Sequence, residues 1–294
     1  MIQITSKIKS YWELTKPDIT LLVLISTFLG YFLGMQFIGS PIFHRPLVLF
    51  YLMIGSALSS AGVAILNEYI ERELDAKMNR TRSRPLPSGR IVPKGALIFG
   101  IVVSVIGLLD LAFLVNLYCG ILSFITITVY LFVYTPIKQK SPWNTLIGAV
   151  PGALPPVGGW LAATDIVSYQ TFAIFCMLFF WQIPHVFSIA WLYRVDYKKA
   201  GFKMFMTESN NQFQSNMLLV GFCILTLVFS LLLFTPPIDS MTLISISAMI
   251  IMGLLYVFTA FKMALKQCEN NARRLLFISI IYIPAILIIL IIGI

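Results

Sequence analysis

Residues 48–90 read VLFYLMIGSALSSAGVAIL and then NEYIERELDAKMNRTRSRPLPSGR, and the contrast between the two parts decides the fold class. Positions 48–66 carry no charge and are long enough for an α-helix to cross a hydrocarbon core, which takes about 17–25 residues. The segment that follows is dense in acids, bases and prolines and belongs outside the lipid. Working outward, comparable apolar stretches lie at 19–38, 96–115, 118–135, 145–163, 171–192, 217–235, 241–261 and 275–293. The 294-residue chain is 59% hydrophobic and 11% charged, against about 45–50% and about 25% in soluble domains. So few charges cannot cover a globular surface, which excludes a soluble protein. The pattern predicts an all-α, polytopic membrane helical bundle of about nine transmembrane helices. Only Asn116, Leu117 and Tyr118 separate the third and fourth spans, so one fused helix there is the alternative count.

The net charge of +9 would suggest nucleic-acid binding in a soluble chain, but here it reports topology. With the N-terminus cytoplasmic and the C-terminus outside, the inner segments collect all but Arg45 of the 21 Lys and Arg residues, as the positive-inside rule requires. Fusing spans three and four would put Lys138 and Lys140 opposite the basic cluster of 72–94. No nucleic-acid partner is expected. Lys7, Lys9, Glu13, Lys16 and Asp18 precede a first span of full length, which argues against a cleaved signal peptide. Cys119, Cys176, Cys223 and Cys268 share no close spacing and read as free thiols without metal or disulfide.

Two inner segments concentrate groups capable of chemistry. In the first, Asn67, Glu71 and Asp75 are four apart and line one face of a helix that continues out of span two. Two carboxylates and an amide oxygen one turn apart suit Mg²⁺, which commonly takes one or two carboxylates and fills its shell with water and substrate phosphate. Arg80, Arg82 and Arg84 follow, and guanidinium forks beside a carboxylate-held metal are what a diphosphate requires. The competing reading is a solvated juxtamembrane helix with ion pairs along its face and basic residues on lipid headgroups.

The second segment runs from Trp181 to Met204. A helix continuous from His185 to Asp196 would place both on one face, with Lys199 close by, although Pro184 can blur that. His185 is the histidine inside a span, whereas His44 sits in an outer loop and looks incidental. Asp110, in span three, either lines an interior cavity or bridges helices in protonated form. Span five holds Pro151, Pro155 and Pro156 among Gly148, Gly152, Gly158 and Gly159. That density fits a kinked helix beside a cavity or close helix packing through the glycines.

The run Asn67-x3-Glu71-x3-Asp75, with Met78-Asn79-Arg80-Thr81 and Arg84-Pro85-Leu86, resembles the first aspartate-rich motif of the intramembrane UbiA-type prenyltransferases. Further segments resemble the haem-farnesylating branch of that superfamily: Lys16-Pro17, Tyr134-Thr-Pro136-Ile-Lys138, Ile147 through Pro156 with Gly159-Trp160, Trp181-Gln-x-Pro184-His185, and Arg194-x-Asp196-Tyr197-x-x-Ala200-Gly201. The likeness extends from about residue 12 to 206. The chain departs from the superfamily at Glu71, where Asp is usual, and at Ala200, where quinone-making relatives carry a further carboxylate.

The resemblance implies a single transmembrane prenyltransferase domain over 1–294. It implies Mg²⁺-dependent transfer of a farnesyl group from farnesyl diphosphate to a vinyl group of haem b, with haem b as a substrate rather than a cofactor. Prenylation of an aromatic or quinone precursor is the alternative, and a transporter with charged residues lining a path is the rival from another class. Asn67, Glu71, Asp75 and Asp196 are then the catalytic metal-holding residues. Arg80, Arg84, Lys138, Arg194 and Lys199 would bind diphosphate, while His185 and Trp181 would contact haem. The implied location is the cell membrane, with the active site toward the cytoplasm. Beyond the bilayer and the two substrates, haem A synthase and oxidase assembly factors are candidate partners.

Overall fold

The computed structural model describes residues 2–204, 212–234 and 239–293. Among them are nine helices long and apolar enough to cross a membrane, and the break between the third and fourth falls where the sequence left it open. The helices are α1 (Ile2–Leu14), α2 (Pro17–Phe37), α3 (Pro46–Asp75), α4 (Pro93–Asp110), α5 (Leu117–Thr128), α6 (Asn144–Thr164), α7 (Tyr169–Leu192), α8 (Arg194–Lys199), α9 (Gln212–Leu231), α10 (Ser240–Leu265) and α11 (Glu269–Gly293). π-helical turns extend α4 through Leu111–Val115 and α5 through Val129–Tyr134. The chain divides into two compact units: Met1–Lys140 with Leu154–Ile166 and Val195–Phe202, and Ser141–Ala153 with Val167–Arg194 and Lys203–Ile294.

In the first unit, Asn116 ends one span and starts the next. Its backbone is extended and its side chain accepts from the Cys119 amide at 2.9 Å, an N-cap of the kind that asparagine favours. Its amide group also donates to the Leu161 carbonyl at 2.9 Å and to Asp165 at 2.7 Å. Three polar contacts thus fix the corner that the apolar pattern alone could not.

The helix breakers of span five lie in one helix, and Gly159 serves close packing against α2. A Cβ on Gly159 would meet the Thr27 carbonyl of α2, and one on Gly30 would strike the Pro156 backbone, lying 2.6 Å from its carbonyl carbon and 2.8 Å from its Cα. Backbone cannot swing aside as a side chain can. Gly30→Ala should therefore lower stability by about 1–3 kcal/mol, read as an earlier thermal unfolding transition in detergent. Gly221→Ala, where an added Cβ meets nothing within 4 Å, should leave that transition in place.

Asp110 packs its carboxylate against Gly55 of α3, and its Oδ2 is buried without a hydrogen-bond partner. All four cysteines are free thiols, three of them buried. In the second unit, α7, α9, α10 and α11 pack around Tyr256 and Tyr282, both fully buried. The Tyr256 hydroxyl donates to the Trp181 carbonyl at 2.9 Å, and the Tyr282 hydroxyl lies 3.0 Å from that of Ser230. The continuous helix expected from His185 to Asp196 is not formed. It stops at Tyr193, whose φ of −103° and ψ of 21° leave the helical region, and Arg194–Lys199 is a separate short helix. The one-face argument linking His185, Asp196 and Lys199 therefore fails.

Candidate active site

Helix α3 continues past the apolar stretch to Asp75, which places Asn67, Glu71 and Asp75 on successive turns, about 6 Å apart along the axis. All three are buried, at 3%, 5% and 1% exposure. Burying two carboxylates one turn apart is costly unless cations meet them, and both are met. Lys138 Nζ stands 2.7 Å from Glu71 Oε1, and Arg84 Nη1 stands 2.7 Å from Asp75 Oδ2. The Asn67 amide group donates to Thr135 Oγ1 at 3.2 Å, which leaves its oxygen as a possible ligand.

The loop after α3 folds back onto the helix that precedes it. Thr81 Oγ1 donates to the Asp75 carbonyl at 2.8 Å, and the Leu86 amide donates to Glu68 Oε1 at 3.2 Å. Glu68 is itself 1% exposed, and its neighbour Leu86 packs with Leu14, Ile65, Ile91 and Ala96. These anchors hold Arg84 over Asp75. Sequence reasoning passed over Glu68 and Thr135. A second buried acid beside Asn67 was the available signal for the first, and nothing in the spacing singled out the second.

Lys138 stands among aromatic faces, with its ammonium 4.4 Å from the Tyr134 ring centre, 5.9 Å from Tyr130 and 5.8 Å from Phe202. Burial alone would push its pKa down, but the Glu71 carboxylate and the bond to it outweigh this and hold the pKa above the ordinary lysine value. Lys16 sits just before α2 with φ 47° and ψ 64°. Burial first, then repulsion from Arg84, pushes its pKa down to about 8, with Glu68 and Asp75 pulling the other way.

Asp196 reaches the same loop, its Oδ2 accepting from the Arg80 amide at 3.4 Å, while Arg80 Nη2 lies 3.4 Å from the Tyr197 hydroxyl. Buried Met78, Ala200 and Phe202 cluster beneath this contact. Lys199 is exposed. Among the described residues no three His, Cys, Asp or Glu side chains form a metal cage. A buried column of two carboxylates and one amide oxygen fits Mg²⁺ nevertheless, because that ion keeps several waters and takes phosphate oxygens as ligands.

The remaining predicted residues belong to the second unit. Arg194 lies with its guanidinium 4.1 Å over the Trp191 ring centre and donates to the Trp191 carbonyl at 2.9 Å. His185 stacks on Trp181 with ring centres 5.3 Å apart, and its Nδ1 lies 2.8 Å from Ser279 Oγ. Ser279, in a span otherwise matched only by its apolar character, was missed; a hydroxyl amid the aliphatic run 275–293 was the signal.

The chain matches the model of the UbiA prenyltransferase family over residues 23–281. It is 37% identical to a protoheme IX farnesyltransferase of Solibacter usitatus, covering 95% of this chain and 96% of that one, and 36% identical to that of Salinibacter ruber, covering 96% and 98%. Among solved structures, a digeranylgeranylglyceryl phosphate synthase superposes with a TM-score of 0.77 at 19% identity, covering 98% of both chains. A UbiA homologue from Archaeoglobus fulgidus, solved with GPP and Mg²⁺ bound, superposes with a TM-score of 0.65 at 17% identity, covering 95% of this chain and 99% of that one.

Proposed function

From the premise that this chain belongs to the UbiA prenyltransferase family, we propose that it transfers the farnesyl group of farnesyl diphosphate to a vinyl group of haem b, releasing diphosphate. The observation that carries this reading is the buried ladder Asn67, Glu71 and Asp75, with Lys138 and Arg84 each 2.7 Å from a carboxylate oxygen. The family model runs through both units, which supports one prenyltransferase domain over the whole chain.

In this reading Asn67, Glu71 and Asp75, with Asp196 as a fourth oxygen donor, hold Mg²⁺, which would neutralise charge on the diphosphate. Arg80, Arg84 and Lys138 meet the remaining phosphate oxygens, with Lys199 as an outer cation. The bond between farnesyl C1 and oxygen breaks, its electron pair leaves with the diphosphate, and preplaced cations receive that charge without reorganising. The vinyl π electrons then bond to C1. Water adds to the resulting cation and loses a proton, leaving a hydroxyethylfarnesyl group.

Both substrates are lipid-like, and the chain is a multi-pass membrane protein. The distribution of Lys and Arg supports a cytoplasm-facing site in the cell membrane. Purified protein supplied with haem b, farnesyl diphosphate and Mg²⁺ should yield farnesylated haem by mass spectrometry. Turnover with an aromatic acid and none with haem would instead assign the acceptor to the quinone class.

A further inference from the structure

Ser279 is fully buried, and its hydroxyl stands between two partners. Its Oγ donates to the Leu276 carbonyl at 2.6 Å and lies 2.8 Å from His185 Nδ1. A hydroxyl has one proton, and a carbonyl can only accept. At 2.6 Å the proton must point at Leu276, since two bare oxygens would repel at that distance. Ser279 Oγ can then only accept from His185, which makes Nδ1 the protonated nitrogen. For a neutral ring the lone pair is then left on Nε2. The ring plane is fixed as well. Trp181 stacks on it with planes 25° apart, and the Trp181 indole donates to the Ser279 carbonyl at 2.8 Å, so α7 and α11 clamp the imidazole together.

A histidine that donates one ring nitrogen to a fixed acceptor and presents the other with its lone pair is oriented as metal-ligating histidines are. We propose that Ser279 is a positioning residue that holds His185 as its Nδ1–H tautomer, so that Nε2 ligates the iron of the haem acceptor. This rests on the reading of haem as substrate and deepens it. It makes His185 an iron ligand rather than a propionate partner, which would need to donate from Nε2.

The chain has two histidines, His44 and His185, so ¹⁵N-histidine NMR of the haem-free protein resolves each ring, with His44→Gln giving the assignment. His185 should show a protonated Nδ1 and a bare Nε2; the opposite tautomer in the wild-type protein overturns the proposal. Ferric haem added to the wild-type protein should give the optical and EPR signature of histidine ligation. That signature should disappear in His185→Ala and return with free imidazole. Ser279→Ala should weaken haem binding by about 10–100-fold and mix the tautomers, while Ser279→Thr, which keeps the hydroxyl, should recover both.

A His185→Ala protein that binds haem with an unchanged ligand signature refutes iron ligation while leaving haem as the substrate. A wild-type protein that binds no haem and prenylates another acceptor removes both the ligation and the haem reading. The tautomer, measured without haem, keeps those two failures apart.

Discussion

Asp75→Asn is expected to lower prenyl transfer by about 10²–10³-fold, the range seen when one preorganised charge-stabilising group is removed from an active site. The substitution keeps shape and removes charge. Asp75 is 1% exposed and accepts from Arg84 at 2.7 Å, and an asparagine oxygen can still accept that bond. The Thr81 hydroxyl holds the Asp75 backbone carbonyl rather than its side chain, so the loop keeps its anchor and the protein should remain inserted. What changes is the negative charge available to a divalent cation, so the Mg²⁺ concentration for half activation should rise as the rate falls. Membrane-extracted protein at wild-type yield, assayed across a Mg²⁺ titration, separates these effects. Activity unchanged at every concentration would remove Asp75 from the metal site.

Why Asp75 was legible and its partners less so follows from what a sequence pattern encodes. Apolar length marks the spans because lipid imposes it, and spacing by four marks a helix face because 3.6 residues make a turn. Both rules act within one segment. The helix was therefore expected to run on past the lipid-compatible residues to Asp75, and it does. The Glu71–Lys138 pair joins residues 67 apart, and no period connects them; only the resemblance put Lys138 near a phosphate.

The opposite error arose at Tyr193, where a period was extended across a residue that leaves the helix. Span five was legible in composition but open in meaning. Its glycines could have marked a kink or a close approach, and the choice is made by α2, whose Gly30 and Thr27 backbone press against Pro156 and Gly159. Ser279 shows the limit most plainly, because its significance lies in a proton directed away from His185, which only the three-atom geometry reveals.

The Glu71–Lys138 pair yields a second large effect, in which stability and chemistry can be separated. Lys138→Met keeps the length of the side chain and leaves a carboxylate at 6% side-chain exposure without its cation. Breaking a buried pair from one side typically costs about 3–5 kcal/mol, so thermal unfolding in detergent should come markedly earlier. Adding Glu71→Gln removes the stranded charge and should restore most of that stability, since a neutral replacement of both partners is often tolerated. Activity should not return with it. The lysine proposed to meet leaving-group oxygens and the carboxylate proposed to hold the metal are both absent from the double variant, and transfer should stay at least about 100-fold below wild type.

The wild-type pair should also survive alkaline conditions. A lysine whose folded-state pKa is raised contributes its stability fully below the ordinary value, about 10.4, and loses it only as pH climbs through the raised one. With Lys138 raised by Glu71 against the pull of burial, the difference in unfolding temperature between wild type and Lys138→Met should hold constant from neutral pH to about pH 10. A double variant that regains activity along with stability would make the pair a structural strut, and the leaving-group charge would then fall to Arg84 and Arg80.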